Sequence, residues 1–345
     1  MPNIVYSYLF LVLISLISKR KLILLSFASL VFFFSFRTEW IPDTTNYMEM
    51  YDKPETHQTS EYGYRLLGDM FGQVTGADFM VFYLTLVSAM LLIWFFGTRK
   101  ILAKENYTIL LLLLFSFNGY FYFGVTIRSA ITSILVYAAF CFFLQGNQRY
   151  KWTIYFILVI LASLIHKSAF FFLPLIFFAN IKLKGFHLYL IYGLCVVFWF
   201  ISGFDFAKGI LSSLSQFEMF DKLDKYTTDS LANNNMFSLQ NLAAFLTMFI
   251  CVFQTKNIER DYRNIYLFFL KINLVGLLVM SLFWHVSTAY RFYNMFFFYN
   301  FIIVYLVAFH NNKIKYSLIK YSIVMVISIM YFVTLIYSNP FFLLY

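Results

Sequence analysis

The chain has 345 residues, 61% of them hydrophobic and only 12% charged, and its mean hydropathy is strongly positive. Soluble domains carry about a quarter of their residues as charges, so a water-soluble globular fold is excluded and an all-α integral membrane protein is expected. The formal charge of +10 would point a soluble protein towards nucleic acid; here its distribution among loops sets orientation instead, and no nucleic-acid partner is expected.

Apolar runs fall at about 4–18, 22–36, 77–97, 107–124, 129–144, 152–165, 169–180, 188–203, 237–253, 265–283, 292–309 and 321–338. Lipid offers no water to backbone N–H and C=O groups, so each run that crosses must be a helix. The pattern predicts about 12 transmembrane helices in a single polytopic domain over 1–345, with outer loops at about 37–76 and 204–236. The run around Pro174 is short enough to be tilted, kinked or re-entrant. Within the first outer loop, Glu61 to Gln73 reads as an amphipathic helix lying at the interface. The second outer loop, with Asp221, Asp224, Asp229 and Asn233 to Asn235, reads as a loop or lid. The first apolar run leads into Lys19, Arg20 and Lys21 with no small-residue cleavage site, so no cleaved leader is expected.

Positive charges are retained on the cytoplasmic side. One set of alternate loops holds 16 basic residues against three acids; the other holds nine against thirteen, and Lys271 lies inside a span. The first set is therefore expected in the cytoplasm, with both termini and the two long loops outside. Cys141, Cys195 and Cys251 each sit in an apolar run without ligand spacing and read as small buried hydrophobes. No phosphate-binding glycine loop, paired-cysteine motif or zinc-protease motif occurs, and no Gly- or Pro-interrupted pair of spans marks a secondary transporter. No metal and no cofactor is expected.

Four cations, Arg37, Arg128, Lys167 and Arg291, fall near helix ends on the outer side, with His166 and His285 at the same level. Cations gathered at headgroup depth suit a lipid-linked phosphate or diphosphate, because guanidinium forks match phosphate oxygens. Each also has a plainer alternative, snorkelling to ordinary lipid phosphates. His166 has the proton affinity of a general base near neutrality, or is a helix-end histidine bonded to a carbonyl. Asp43 and Glu61 offer carboxylates for sugar hydroxyls or for the base role, or are capping acids. Lys271 must face the bundle interior or a water-filled cavity.

The order Arg37, then Asp43-Thr44-Thr45-Asn46-Tyr47, then Glu61-Tyr62-Gly63-Tyr64-Arg65-Leu66-Leu67, then Arg128-Ser129-Ala130, then His166-Lys167-Ser168-Ala169 resembles the EpsG/Wzy-type family of bacterial polysaccharide polymerases. The recognisable motifs cover about the first 180 residues, with Arg291-Phe292-Tyr293 beyond them. Pro42 stands where the family pattern has Gly, and Thr44 where it has Tyr. The resemblance implies an all-helical, GT-C-like membrane glycosyltransferase of the bacterial cytoplasmic (inner) membrane, working without a metal. It would join undecaprenyl-diphosphate-linked oligosaccharide units on the periplasmic or extracellular face, as in O-antigen, capsule or exopolysaccharide synthesis. Partners so implied are the lipid-linked oligosaccharides, membrane lipids and a chain-length regulator. On this basis His166, Arg128, Arg37 and Arg291 are the expected catalytic residues, and Asp43, Tyr47, Glu61, Tyr64, Lys167 and His285 the substrate contacts. A lipid-linked oligosaccharide flippase would place cations at several depths of a central cavity, whereas only Lys271 is deep. A glycan ligase or acyltransferase using the same carrier stays open, to be told apart by its product. A purely structural scaffold would not explain an Arg, Asp, Glu and His set on one side.

Overall fold

In a computed structural model the described residues are 4–17, 22–35, 41–53, 62–103, 105–145, 149–201, 238–283 and 293–339. Helix underlies every predicted apolar run, and among the described residues there is no strand beyond one isolated bridge, Ile258 to Asn311. Among the described residues five helical stretches are long and apolar enough to cross a membrane: Phe79–Ile101, Tyr107–Gly124 with an interruption inside it, Ile127–Gln145, Arg263–Leu282 and Ser317–Ser338. The second outer loop lies outside the described residues. The chain divides into two compact units, one of Met1–Ile176 with Leu335–Tyr345 and the other of Phe177–Thr334.

The first unit contains α1 (Ile4–Ile17), α2 (Ile23–Phe34), α3 (Thr44–Asp52), α4 (Tyr62–Thr75), α5 (Phe79–Ile101), α6 (Tyr107–Leu114), α7 (Tyr120–Gly124), α8 (Ile127–Gln145) and α9 (Lys151–Ile165). Polar residues at run boundaries start the helices by accepting orphan N–H groups. Asp78 accepts from Val81 at 2.9 Å ahead of α5, and Asn106 from Thr108 at 3.2 Å ahead of α6. Arg99 and Lys100 close the last turn of α5, where cations favour the negative helix end. The centre of the unit is α6, whose eight residues are all buried, and α8, which packs on both α5 and α9. Gly97 lets α5 approach α8 closely, with Cys141 Sγ 3.3 Å from where its Cβ would be. The Thr98 and Tyr137 hydroxyls meet there at 2.8 Å.

Two features correct the expected pattern. The first outer loop is partly helical: α3, which sequence reading left as loop, precedes α4, the expected interfacial helix. The run 107–124 is not one continuous helix either. Phe117 (φ −81°, ψ 61°) and Asn118 (φ 70°, ψ 2°) leave helical geometry inside it. Asn118 tolerates the left-handed region better than most side chains. A Cβ on the next residue, Gly119, would lie 2.7 Å from the Leu114 carbonyl oxygen. Such a break at membrane depth is tolerated because it is buried in protein; Asn118 and Gly119 are both buried.

The second unit contains the end of α10 (Phe172–Asn180), then α11 (Gly185–Ile201), α12 (Leu239–Gln254), α13 (Arg263–Phe283), α14 (Asn300–Phe309) and most of α15 (Ser317–Ser338). Pro174 falls in the first turn of α10, where its missing N–H costs little, and the run starts with a tight turn over Lys167–Phe171. Here α13 packs against α11 and α14, and residues 300–308 are all buried. Trp199 stacks on Phe245 at 4.1 Å. Gly276 of α13 is in close contact with Phe296, since a Cβ there would come within 2.4 Å of the Phe296 Cβ. Lys271 faces the interior of the unit as expected: it is 6% exposed, and its ammonium donates to the Ala179 carbonyl and, at 2.8 Å, to that of Ile181. A cation thus satisfies carbonyls left open at the end of α10. The three cysteines are buried and free.

Candidate functional site

In the first unit α8 and α9 form a tightly packed hairpin. Arg128 is the second residue of α8, and His166 ends α9, with its N–H bonded to the Ala162 carbonyl at 2.9 Å. The Thr132 hydroxyl of α8 reaches that same carbonyl at 3.4 Å. One turn from this crossing therefore lies Arg128, and one turn away on the other strand of the hairpin lies His166. Residues 38 apart in sequence are held at one end of the bundle. His166 is half-buried with extended backbone (φ −148°, ψ 116°), its carbonyl accepting from Ala169 at 3.0 Å, while Lys167 beside it is exposed.

Helices α3 and α4 pack onto this end. Asp43 opens α3 in the left-handed region (φ 64°, ψ −6°), its carbonyl accepting from Tyr47 N at 3.0 Å. Its carboxylate makes no capping bond and the residue is exposed, so Asp43 is not a capping acid but a free carboxylate beside the helix start. Tyr47, one turn on, is 1% exposed, and its ring meets that of Tyr64 at 5.4 Å. The Arg128 guanidinium carbon sits 5.4 Å from the centre of the Tyr47 ring. Arg128, Tyr47 and Tyr64 thus form a continuous stack joining α8, α3 and α4. A cation against an aromatic face contributes on the order of 1 kcal/mol, more where water is scarce.

Glycines in α4 explain why this stack can form. A Cβ on Gly63 would lie 2.7 Å from the Leu164 carbonyl carbon and oxygen and 3.0 Å from Ile165 N. Only glycine lets the Tyr62-Gly63-Tyr64 turn rest on the backbone that leads into His166. Gly68 and Gly72, four apart on one face, receive the Tyr51 ring of α3, at 3.2 and 3.3 Å from where their Cβ atoms would be. The Tyr51 hydroxyl donates to the Ala77 carbonyl at 2.6 Å. Its pKa is raised, by burial first and then by Asp52 and Asp78, which keeps it a donor. Phe82 of α5 stacks on Tyr51 at 5.0 Å and touches Tyr64 at 6.0 Å, while its neighbour Tyr83 bonds the Phe123 carbonyl at 2.7 Å. One pair on α5 therefore ties the α3–α4 layer and the segment entering α8. On the far side of α4, Tyr62, Leu66, Met70 and Val74 form an exposed apolar stripe at helical spacing, the surface expected of a helix lying at a membrane interface.

Of the expected site residues, Arg128, Tyr47, Tyr64 and His166 are brought to one end of the unit, with Asp43 and Lys167 exposed beside them. Arg37, Glu61, His285 and Arg291 lie outside the described residues. Sequence reading missed Thr126, just ahead of α8, whose hydroxyl is buried and makes no hydrogen bond, and whose carbonyl accepts from Ala130. Nothing in the sequence singled it out, since a threonine just ahead of a helix reads as a cap and this hydroxyl caps none. Among the described residues no three His, Cys, Asp or Glu side chains gather as a metal site.

No curated protein sequence and no solved structure matches the chain. The EpsG family model, in contrast, matches residues 20–345. The match runs through both compact units, well past the first 180 residues where the short motifs are recognisable. The chain therefore belongs to the EpsG family, a polysaccharide-polymerase-type family of multi-pass membrane proteins.

Proposed function

We propose that this protein joins lipid-linked oligosaccharide units into polysaccharide at the outer face of a bacterial cytoplasmic membrane, which it crosses about twelve times. The observation that carries the proposal is the convergence of Arg128, Tyr47 and Tyr64 with the α9 end that bears His166. In the reaction, a hydroxyl oxygen of the acceptor unit attacks the anomeric carbon of the donor glycan. The bond from that carbon to the undecaprenyl diphosphate oxygen breaks, and the lipid diphosphate leaves with the bonding pair. His166 takes the acceptor proton.

Negative charge grows on the departing diphosphate, so cations fixed at that point accelerate the step. Arg128 stands in the first turn of a 19-residue helix, where the positive helix end and open N–H groups add to its own charge. Arg37, Arg291 and Lys167 complete the diphosphate contacts in this proposal. Asp43, Tyr47, Glu61, Tyr64 and His285 contact sugar or hold the base. The buried Tyr47 and Tyr64 rings back the Arg128 guanidinium, and Asp43 offers a free carboxylate for hydroxyls.

The test is complementation of a polymerase-null strain. Wild-type protein restores long polymer, and R128A and H166A variants present at normal levels in the membrane do not. Full-length polymer from either variant removes that residue from the mechanism.

A further inference from the structure

The end of the second unit that bears the connection after α10, the connection after α12 and the connection after α14 is one built surface. The first and second connections touch: a Cβ on Gly185 would lie 3.9 Å from Lys256 Cε. The second and third are clasped. Ile258 and Asn311 form the isolated bridge, Glu259 N donates to His310 O and Asn312 N to Asn257 O, each at 2.9 Å. Gln254 Oε1 accepts from Asn257 Nδ2 at 2.8 Å and from Asn311 Nδ2 at 2.9 Å. His310 meets the Glu259 carboxylate at 2.9 Å and lies against the Tyr262 ring at 3.8 Å. Lys271 fixes the first connection from beneath through the Ala179 and Ile181 carbonyls.

This platform carries seven exposed cations: Lys182 and Lys184 on the first connection, Lys256, Arg260 and Arg263 on the second, and Lys313 and Lys315 on the third. Against them stand Asp261, exposed, and Glu259, which is engaged by His310. Phe186, Tyr316 and Leu318, each more than 70% exposed, flank the charges with apolar side chains. Orientation alone asks only for positive charge in short connections; it does not ask that two of them be hydrogen-bonded together and the third be anchored alongside by Lys271. A fixed array of cations edged by apolar residues matches the layered chemistry of a headgroup phosphate above acyl chains.

We infer that this clasped surface is a binding site for anionic phospholipid headgroups of the leaflet it faces. The inference uses none of the residues assigned to glycosyl transfer and stands or falls apart from that assignment.

The experiment uses the full-length protein, delipidated in neutral detergent and returned to phosphatidylcholine, phosphatidylglycerol or cardiolipin. Retained lipid is counted by intact-complex mass spectrometry and the unfolding midpoint is read in parallel. Wild type retains the anionic lipids and unfolds at a higher temperature with them than with phosphatidylcholine. K182Q/K184Q/K313Q/K315Q retains roughly tenfold less, while a variant losing the same charge elsewhere, R99Q/K100Q/R149Q/K151Q, retains as much as wild type. The inference is overturned if wild type treats the three lipids alike, if both quadruple variants lose lipid equally, or if polyglutamate displaces phosphatidylglycerol at matched charge. Should the quadruple variant fail to fold, K182Q/K184Q and K313Q/K315Q are compared separately, and the inference falls if neither pair loses anionic lipid.

Discussion

Replacing Gly63 by alanine probes the contact on which the site depends. The added methyl group would arrive 2.7 Å from the Leu164 carbonyl carbon and oxygen. Ordinary contact begins near 3.4 Å, so α4 must withdraw by about 0.7 Å from the end of α9. Backbone atoms inside a helix cannot swing aside as a side-chain tip can. Overpacking of this kind costs about 1–3 kcal/mol, which leaves the protein folded, but misplacement approaching 1 Å at a reacting centre costs about 100-fold in rate. Polymer formed by membranes of a complemented polymerase-null strain, normalised to the amount of protein, should fall by about 10- to 100-fold. Gly72→Ala is the matched control, because its methyl group meets the tip of one side chain and no backbone, the Tyr51 hydroxyl at 3.3 Å and the ring carbon bearing it at 3.6 Å, and its effect should stay within about 0.5 kcal/mol. Full activity and normal stability in G63A would refute the packing of α4 on the end of α9.

Other substitutions test the frame. Lys271→Met strands the buried Ala179 carbonyl and releases the part-buried one of Ile181, and should cost about 1–3 kcal/mol for the buried acceptor left open, seen as a lower unfolding midpoint in detergent; an unchanged midpoint would deny the clamp. Gly276→Ala should destabilise by about 1–3 kcal/mol or more, and adding Phe296→Ala should not rescue it, because the obstructing atom is the Cβ that alanine keeps; rescue would contradict the observed contact. Gly193→Ala in α11, where nothing lies within 4 Å, should raise stability by about 0.5–1 kcal/mol, and a loss there would show an unseen neighbour.

The helices were legible because lipid forces every apolar run into one answer, and boundaries came within a few residues wherever a charge or cap marked them, as at Asp78 and Lys151. Hydropathy could not see the interruption at Phe117 and Asn118, since a run of Phe and Tyr is equally apolar whether or not its backbone is helical; the Asn118-Gly119 pair was the one sign of it. Helix α3 was hidden for the opposite reason: Thr44 to Asp52 is too polar to register as a run, and its opening residues look like a turn. The Glu61-Tyr62-Gly63-Tyr64 motif was readable, but the reason for its glycine was not, because the partner backbone lies a hundred residues away. The family resemblance faded after residue 180 for want of polar motifs, although the match continues to residue 345. Convergence of Arg128 with Tyr47 and Tyr64 needed the three-dimensional structure, since no periodicity links them.

The most direct measurement is elongation by the purified protein in liposomes supplied with radiolabelled undecaprenyl-diphosphate-linked repeat units. Wild type should give a ladder of longer lipid-linked glycans, reduced by roughly 100- to 1,000-fold when Arg128 is replaced by alanine and similarly poor when His166 is replaced. A wild-type protein that moves the label across the bilayer or onto a different acceptor without lengthening it would contradict the account, as would an undiminished ladder from both variants.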